Sequence, residues 1–245
     1  MFQVVIPARF ASSRFPGKPL AEIAGQPMLA HVIQQAKASG AEGVYVATED
    51  IRIMELANAM GAQGVMTSAA CNSGTERIVE VARLLGWAPE TIVVNVQGDE
   101  PTIPFFNIQY LAKVLQDSQA TVATLYSELT DETAYHDPNV VKVVLDKYEQ
   151  ALYFSRAPIP YHRAPAVFKS VKRHIGLYAY RVSALEAFME EGPSILEDLE
   201  MLEQLRFLWH AFKIQLACAP LMGGPAVDVP SDIQAVETWM QLNPA

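Results

Sequence analysis

The chain has 245 residues and a net charge of −9, with 51% hydrophobic and 18% charged residues. This composition predicts a folded globular protein, and the acidic balance argues against a general nucleic-acid binder. The sequence has no signal-peptide pattern and no apolar run long enough to span a bilayer, and its two cysteines lack metal-ligand spacing. We therefore expect a cytoplasmic protein without a membrane partner.

The first 118 residues alternate between strand patterns and helix patterns. Apolar runs predict strands, and apolar residues at helical spacing predict helices. In chain order the predictions are strand 2–6, helix 27–39, strand 43–48, helix 51–60, strand 64–67, helix 74–85 and strand 91–96. Such alternation predicts a parallel sheet covered by helices on both faces.

The pattern changes after residue 118, where strands follow one another with few helices between them. The predictions are strands 121–128, 140–145, 151–155 and 175–180, helices 184–190 and 195–209, strand 213–219 and a last helix from Ser231. The sequence has no internal repeat, and no low-complexity linker separates the two halves. We predict an α/β fold in a single domain, residues 1–245, with a doubly wound, mostly parallel sheet and a smaller mixed-sheet lobe.

The most informative segment, PARFASSRFPGKPL at residues 7–20, follows the first strand. Arg9, Arg14 and Lys18 supply positive charge, while serines and a glycine allow backbone N–H groups to approach a polyanion. Pro19 stands where a Walker A loop has Ser or Thr, so the segment is not of that type. Because open α/β sheets bind ligands at the carboxyl ends of strands, we predict a phosphate site rather than an ordinary basic loop.

Two isolated carboxylates could bind a metal ion. Asp99 follows the strongest strand pattern, in NVQGDEP, and Asp228 lies in the turn-rich segment GGPAVDVP. Gly-Asp is also a common turn pair, and Asp228 could instead cap a helix, although Ser231 is the better cap for the last one. Magnesium usually takes one or two carboxylates plus substrate oxygens, so the pair would suffice. Spacing alone leaves this pairing open.

Other polar segments remain ambiguous from the residues alone. NSGTER at residues 72–77 opens a helix, where Ser73 or Thr75 would serve as the cap rather than as a ligand contact. Cations beside Tyr178 suit an acidic, polyhydroxylated ligand, but a salt-bridged lobe or a subunit contact fits equally well. Glu203 and Gln204 lie in a helix pattern that predicts a solvated face for them.

Taken together, these segments resemble the 3-deoxy-manno-octulosonate (Kdo) cytidylyltransferases, from about residue 5 to residue 228. The motifs that carry the resemblance are SRFPGKPL, SGTER, NVQGDEP, YFSR, RHIG and EMLEQLR. The resemblance implies a nucleotide-diphospho-sugar transferase-like fold and transfer of CMP from CTP to Kdo, with release of pyrophosphate, for lipopolysaccharide synthesis. The alternatives are a cytidylyltransferase for 8-amino-Kdo or sialic acid, a glycosyltransferase, or a binding protein without catalysis.

The resemblance also implies roles for individual residues. Those implied for the triphosphate and its loop are Arg9, Ser12, Ser13, Arg14 and Lys18, with Lys18 also catalytic. Those implied for cytosine are Ser73, Arg77 and Gln97. Magnesium is implied at the catalytic pair Asp99 and Asp228, and the implied sugar contacts are Arg156, His174, Tyr178, Glu203 and Gln204.

The family resemblance further implies a homodimer and a division of the domain into three parts. Residues 1–118 would bind the nucleotide, and residues 119–212 would bind the sugar and the partner subunit. Residues 213–245 would supply a returning strand, the metal loop and the last helix.

Overall fold

The computed structural model describes residues 1–12, 14–163 and 171–243. Within these residues the strands are β1 (Gln3–Pro7), β2 (Glu22–Ile23), β3 (Gln26–Pro27), β4 (Gly43–Thr48), β5 (Gln63–Met66), β6 (Ile92–Asn95), β7 (Val122–Glu128), β8 (Lys142–Leu145), β9 (Ala151–Ser155), β10 (Lys172–Arg181) and β11 (Ile214–Cys218). The helices are α1 (Met28–Ala38), α2 (Ile51–Ala59), α3 (Gly74–Leu84), α4 (Phe105–Asp117), α5 (Glu132–His136), α6 (Val182–Glu191), α7 (Ile195–Glu200), α8 (Gln204–Trp209) and α9 (Asp232–Leu242). No helix in the described part of the chain is long and apolar enough to cross a membrane.

One mixed sheet runs through both halves of the chain, in the strand order β11-β7-β10-β6-β1-β4-β5. Strand β1 is parallel to β4 and β6, β4 to β5, and β11 to β7, whereas β10 is antiparallel to both of its neighbours β6 and β7. Strands β8 and β9 extend from one end of β10. The predicted α/β fold with a mostly parallel sheet is confirmed, and the strands of the predicted lobe belong to the same sheet.

Helices cover both faces because alternate residues of each strand point in opposite directions. In β1, Val4 and Ile6 pack into a core with α1 and α4, while Val5 packs into the opposite core with α3 and α6. Since β1, β4 and β6 are parallel, the loops after them meet at one edge of the sheet. That edge is where the predicted phosphate loop and Asp99 lie.

Some elements differ from the sequence predictions. The β2–β3 hairpin, α4 and α5 lie outside the predicted set, and the predicted helix 195–209 is two helices, α7 and α8. Ser194 begins α7 with a capping box, and Met201 ends it in a left-handed conformation, with φ of 51°. The break bends the chain back, so that Arg206 of α8 pairs with Glu197 of α7 at 2.7 Å.

A fully buried lysine fixes the start of the β8–β9 extension. The ammonium group of Lys142 donates to the carbonyls of Asp137 (2.9 Å), Val140 (2.6 Å) and Arg156 (2.7 Å). Burial lowers the pKa of Lys142 below its ordinary value, since the charged form loses its water. The three carbonyls compensate for that loss and join the loop before β8 to the end of β9.

We predict that Lys142→Met destabilises the protein by about 2–4 kcal/mol, because three buried carbonyls lose a charged donor. The removal of a desolvated charge offsets part of this loss. Chemical denaturation measures the effect, with Lys113→Met at an exposed position of α4 as the matched control. A free energy of unfolding equal to that of the control would contradict this account of Lys142.

Candidate functional site

A cleft of about 190 Å³ lies at the sheet edge, between the loops after β1 and β6 and the start of α3. The predicted residues that line it are Arg9, Ser12, Arg14, Lys18, Ser73, Arg77, Gln97 and Asp99. They come from three segments that are distant in sequence. Ser13 lies outside the described residues.

The predicted phosphate loop, within residues 7–20, is anchored through Phe10. Its backbone N–H donates to Glu49 Oε1 at 2.9 Å, and its carbonyl accepts the N–H of Gly17 at 2.9 Å. Gly17 has φ of 73°, and a Cβ there would approach the Phe10 ring to 3.0 Å, so this turn favours glycine. The guanidinium of Arg52 covers the same ring at 3.8 Å from its centroid. These contacts bring Lys18 back toward the sheet edge.

Lys18 connects the two loops that carry the predicted metal ligands. Its Nζ atom donates to Asp99 Oδ2 at 2.7 Å and to the Val227 carbonyl at 2.8 Å. The Val227 N–H in turn donates to the backbone carbonyl of Asp99 at 2.9 Å. The next residue, Asp228, pairs with Arg14 at 2.9 Å. The structure therefore brings Asp99 and Asp228 onto adjoining loops, and each carboxylate pairs with a cation of the phosphate loop.

The helix-capping alternative for Asp228 is wrong. At the start of α9 it is the Asp232 carboxylate that accepts backbone N–H groups, from Asp228 at 2.8 Å and Val229 at 2.9 Å. Ser231 occupies the cap position but makes no side-chain capping bond. The Asp228 side chain instead pairs with Arg14.

Arg77 is buried beneath the cleft, with 4% of its side chain exposed. One end of its guanidinium pairs with Glu49 at 2.8 Å, and another donates to Thr67 Oγ1 at 2.7 Å. Glu49 thus contacts both Arg77 and the phosphate loop. Glu49 was not among the predicted site residues, although a sequence signal marks it: it is an acidic residue directly after the buried strand β4.

Ser73 and Thr75 have different roles at the start of α3. Ser73 is the helix cap, and its hydroxyl accepts the N–H of Glu76 at 3.2 Å. Thr75 is not a cap, since its hydroxyl donates to Glu203 Oε2. Gln97, which also lines the cleft, makes a long contact of 3.4 Å to Asn95. Among the described residues, the Gln97 amide therefore makes only this one long hydrogen bond.

Aromatic rings and a histidine pack together along β10, and His174 lines a second cavity on the other side of the Asp99 loop. The His174 ring lies 5.0 Å from that of Phe154 and 5.3 Å from that of Tyr178, and its Nε2 is 3.0 Å from Thr124 Oγ1. Burial and, to a lesser extent, Arg173 lower the pKa of His174 to about 3. The imidazole is therefore neutral at physiological pH.

Glu203 and Gln204 do not form a solvated face, and that prediction is wrong. Glu203 is half-buried and Gln204 is 8% exposed. The left-handed Met201 ends α7, so these two residues begin a new helix instead of continuing the exposed side of the previous one. Glu203 consequently reaches α3, where it meets Thr75.

Arg156, the remaining predicted sugar contact, is engaged with backbone carbonyls. Its guanidinium donates to Glu200 O (2.7 Å), Pro138 O (2.9 Å) and Met201 O (3.2 Å). The bonds to Glu200 and Met201 satisfy carbonyls at the end of α7, and the bond to Pro138 reaches the loop before β8. Together the three bonds leave two of the five guanidinium N–H donors for other partners. Arg156 thus stabilises the break before α8.

A second cavity, of about 380 Å³, lies on the other side of the Asp99 loop, and Glu100 lines it together with Arg173. Burial and the neighbouring Asp99 raise the pKa of Glu100 to about 7, against an opposing effect of Arg173. Sequence analysis missed this carboxyl group because its burial depends on the loop that precedes Asp228.

The described residues contain no group of three or more His, Cys, Asp or Glu side chains that could hold a metal ion by themselves. Asp99 and Asp228 supply two carboxylates on adjoining loops, with 34% and 54% of their side chains exposed. Magnesium commonly takes this number of carboxylates and completes its shell with substrate oxygens and water. The donor set therefore fits magnesium held jointly with a phosphorylated substrate.

Comparison with known proteins places these features in a family. The family model for Cytidylyltransferase matches residues 3–214. The chain is 48% identical to the 3-deoxy-manno-octulosonate cytidylyltransferase of Cellvibrio japonicus, with 98% of each chain covered. It is also 48% identical to the enzyme of that name from Idiomarina loihiensis, over 95% of this chain and 96% of the relative.

A solved structure agrees with these relatives. CMP:2-keto-3-deoxy-manno-octonic acid synthetase, in complex with CTP, superposes with a TM-score of 0.91 at 38% identity and covers 99% of both chains. The chain belongs to the cytidylyltransferase family and, within it, to the 3-deoxy-manno-octulosonate cytidylyltransferases.

Proposed function

We propose that this protein transfers CMP from CTP to Kdo, giving CMP-Kdo and pyrophosphate. The proposal rests on one observation: Arg9, Arg14 and Lys18 line the same cleft as Asp99 at the sheet edge and the start of α3. The names of the relatives support CTP and Kdo as the substrates. The proposal includes a homodimer that acts in the cytoplasm in lipopolysaccharide synthesis, with the nucleotide bound mainly by residues 1–118 and the sugar by residues 119–212.

In this proposal the phosphate loop holds the CTP triphosphate. Arg9 and Arg14 bind phosphate oxygens with their guanidinium groups. Ser12 lines the cleft, and Ser13, which lies outside the described residues, is proposed to serve the same loop. Lys18 stabilises the negative charge that develops on pyrophosphate as it leaves. Its present contacts, Asp99 and the Val227 carbonyl, hold the ammonium group at the sheet edge before substrate binds.

Asp99 and Asp228 would hold magnesium together with phosphate oxygens of CTP. When bound, this ion would supply positive charge at the α-phosphate and lower the pKa of the attacking sugar hydroxyl. The chain orients the reactants for in-line attack of the anomeric hydroxyl on the α-phosphorus. Arg14 and Lys18, which pair with the two carboxylates here, turn toward the triphosphate as it binds.

Cytosine is recognised at the start of α3 and the end of β6. Ser73 and Gln97 present a hydroxyl and a weakly engaged amide to the base edge. Arg77 lines the same cleft and, through its pair with Glu49, keeps α3 in register with the phosphate loop. A base that cannot satisfy these polar groups leaves them unpaired, which disfavours UTP.

Kdo occupies the region beside β10 and the start of α8. Tyr178, Glu203 and Gln204 offer hydroxyl, carboxylate and amide groups for the sugar hydroxyls, and the neutral His174 adjoins them. Arg156 holds the chain break that orients Glu203 and offers its remaining N–H donors to the carboxylate of the sugar.

The proposal is tested by pyrophosphate release with CTP and magnesium, in parallel reactions with Kdo, 8-amino-Kdo and sialic acid. We expect turnover with Kdo far above that with the other two sugars. Preference for 8-amino-Kdo would keep the reaction and change the substrate. Absence of pyrophosphate in all three reactions would overturn the proposal.

We predict that Asp99→Asn lowers kcat by at least about a hundredfold while leaving the fold intact, because the loop loses the charge that balances magnesium and Lys18. Steady-state kinetics at saturating magnesium measures the effect, and thermal unfolding checks the fold. Asp117→Asn, at the exposed end of α4, is the matched control. Near-normal turnover of Asp99→Asn would contradict the assignment of Asp99 as a magnesium ligand.

A second prediction concerns pH. The pKa of His174 is lowered to about 3, so the imidazole stays neutral as pH falls from 8 to 5. We expect no step near pH 6.5 in the pH profile of kcat/KM for Kdo that depends on this residue. The profile is compared with that of His174→Asn, which retains a polar side chain without a titratable ring. A step at that pH in the wild type that is lost in His174→Asn would contradict the neutral imidazole.

A further inference from the structure

The hydrogen bond from Thr75 to Glu203 directly joins the two halves of the proposed site. Thr75 lies in the first turn of α3, next to the proposed cytosine contacts, and is 1% exposed. Its Oγ1 donates to Glu203 Oε2 at the start of α8, 128 positions further along the chain. No capping or core-packing requirement of α3 calls for a hydroxyl here, since Ser73 already caps the helix.

The other carboxylate oxygen of Glu203, Oε1, has no hydrogen-bond partner within the described parts of the chain. The carboxylate lies close enough to Tyr178 and Tyr180 to help raise the pKa of both phenols, after the larger effect of burial. The two rings are stacked, with centroids 5.7 Å apart. Both phenols therefore remain protonated at neutral pH. The Tyr180 hydroxyl lies beside Thr75 and Asn95, so the Tyr178 hydroxyl is the donor that is open to a ligand.

The hydroxyl of Tyr178 is a buried group in need of a partner. It lies beside Thr124 but makes no hydrogen bond of normal geometry. A buried hydroxyl without a partner costs free energy. A ligand hydroxyl placed between Tyr178 and Glu203 could accept from the phenol and donate to the carboxylate, so that both groups are satisfied.

We propose that Thr75 is a positioning residue for the sugar: its hydroxyl holds one oxygen of Glu203 so that the other faces a hydroxyl of the acidic sugar beside Tyr178. This inference rests on the proposed function, because it concerns how that same site selects a polyhydroxylated acid. Thr75 itself contacts neither substrate. Thr75 sets the orientation of the Glu203 carboxylate, because the first turn of α3 holds the Thr75 hydroxyl in a fixed position.

The test is a kinetic comparison of Thr75→Val, which has the same shape without the hydroxyl, with Thr75→Ser, which retains it. We expect Thr75→Val to raise KM for Kdo about tenfold, the loss of one hydrogen bond to a charged group, with KM for CTP changed less than about twofold. Thr75→Ser should restore most of the KM. Thr238→Val, on an exposed turn of α9 where the hydroxyl bonds only to its own helix, is the matched control.

A double-mutant cycle separates positioning from a general structural effect. In a Glu203→Ala background, Thr75→Val should cause no further rise in KM for Kdo. An unchanged KM in Thr75→Val, equal increases in KM for Kdo and CTP, or a full further rise in the Glu203→Ala background would each overturn the inference. If Thr75→Val does not fold, Thr75→Ala enters the same cycle with the same expected result.

The wild-type reaction keeps the two proposals distinguishable. Turnover of Kdo by the wild type together with an unchanged Thr75→Val would overturn the positioning role alone. A wild type that releases no pyrophosphate with any of the acidic sugars would overturn both.

Discussion

The carboxylate of Glu49 is the contact on which the geometry of the cleft at the sheet edge depends. It accepts the N–H of Phe10, at the base of the phosphate loop, and pairs with the buried guanidinium of Arg77 under α3. Removal of either partner from a buried ion pair leaves an uncompensated charge, which costs several kcal/mol. The loop and the helix are therefore fixed relative to each other, and the cleft between them has a defined width before any ligand binds.

At the sheet edge, too, carboxylates pair with cations from another segment of the chain. Lys18 and Arg14 pair with Asp99 and Asp228, so that neither carboxylate repels the other across the adjoining loops. The pairs are partly exposed and thus individually weak, so that in the proposed reaction phosphate and a divalent ion would replace them. A preorganised but replaceable set of charges suits a site whose chemistry is largely positioning and charge stabilisation.

The placement of Glu203 and Gln204, the proposed sugar contacts, depends on a break between two helices. The left-handed Met201 separates α7 from α8, and Arg156 satisfies the carbonyls that the break exposes. Helical periodicity carries no sign of this break, because the apolar spacing continues through it. For that reason the helix pattern predicts solvent-facing positions for Glu203 and Gln204, although the structure turns them inward. The same limit applies to Glu100 and Thr75, whose surroundings come from segments far away in sequence.

The sequence by itself determined the α/β class, every strand of the main sheet, the basic loop after the first strand and the acidic residue after the central strand. These features depend on the local hydrophobic pattern and on the residues that come directly after each strand. The sequence also carried enough motif resemblance to indicate the family. Only the tertiary structure decided that Asp99 and Asp228 share one edge, that Glu49 joins loop to helix and that Thr75 reaches Glu203. Those contacts arise from the order of strands in the sheet and from one left-handed residue. Neither of these produces a periodic pattern in the amino-acid sequence.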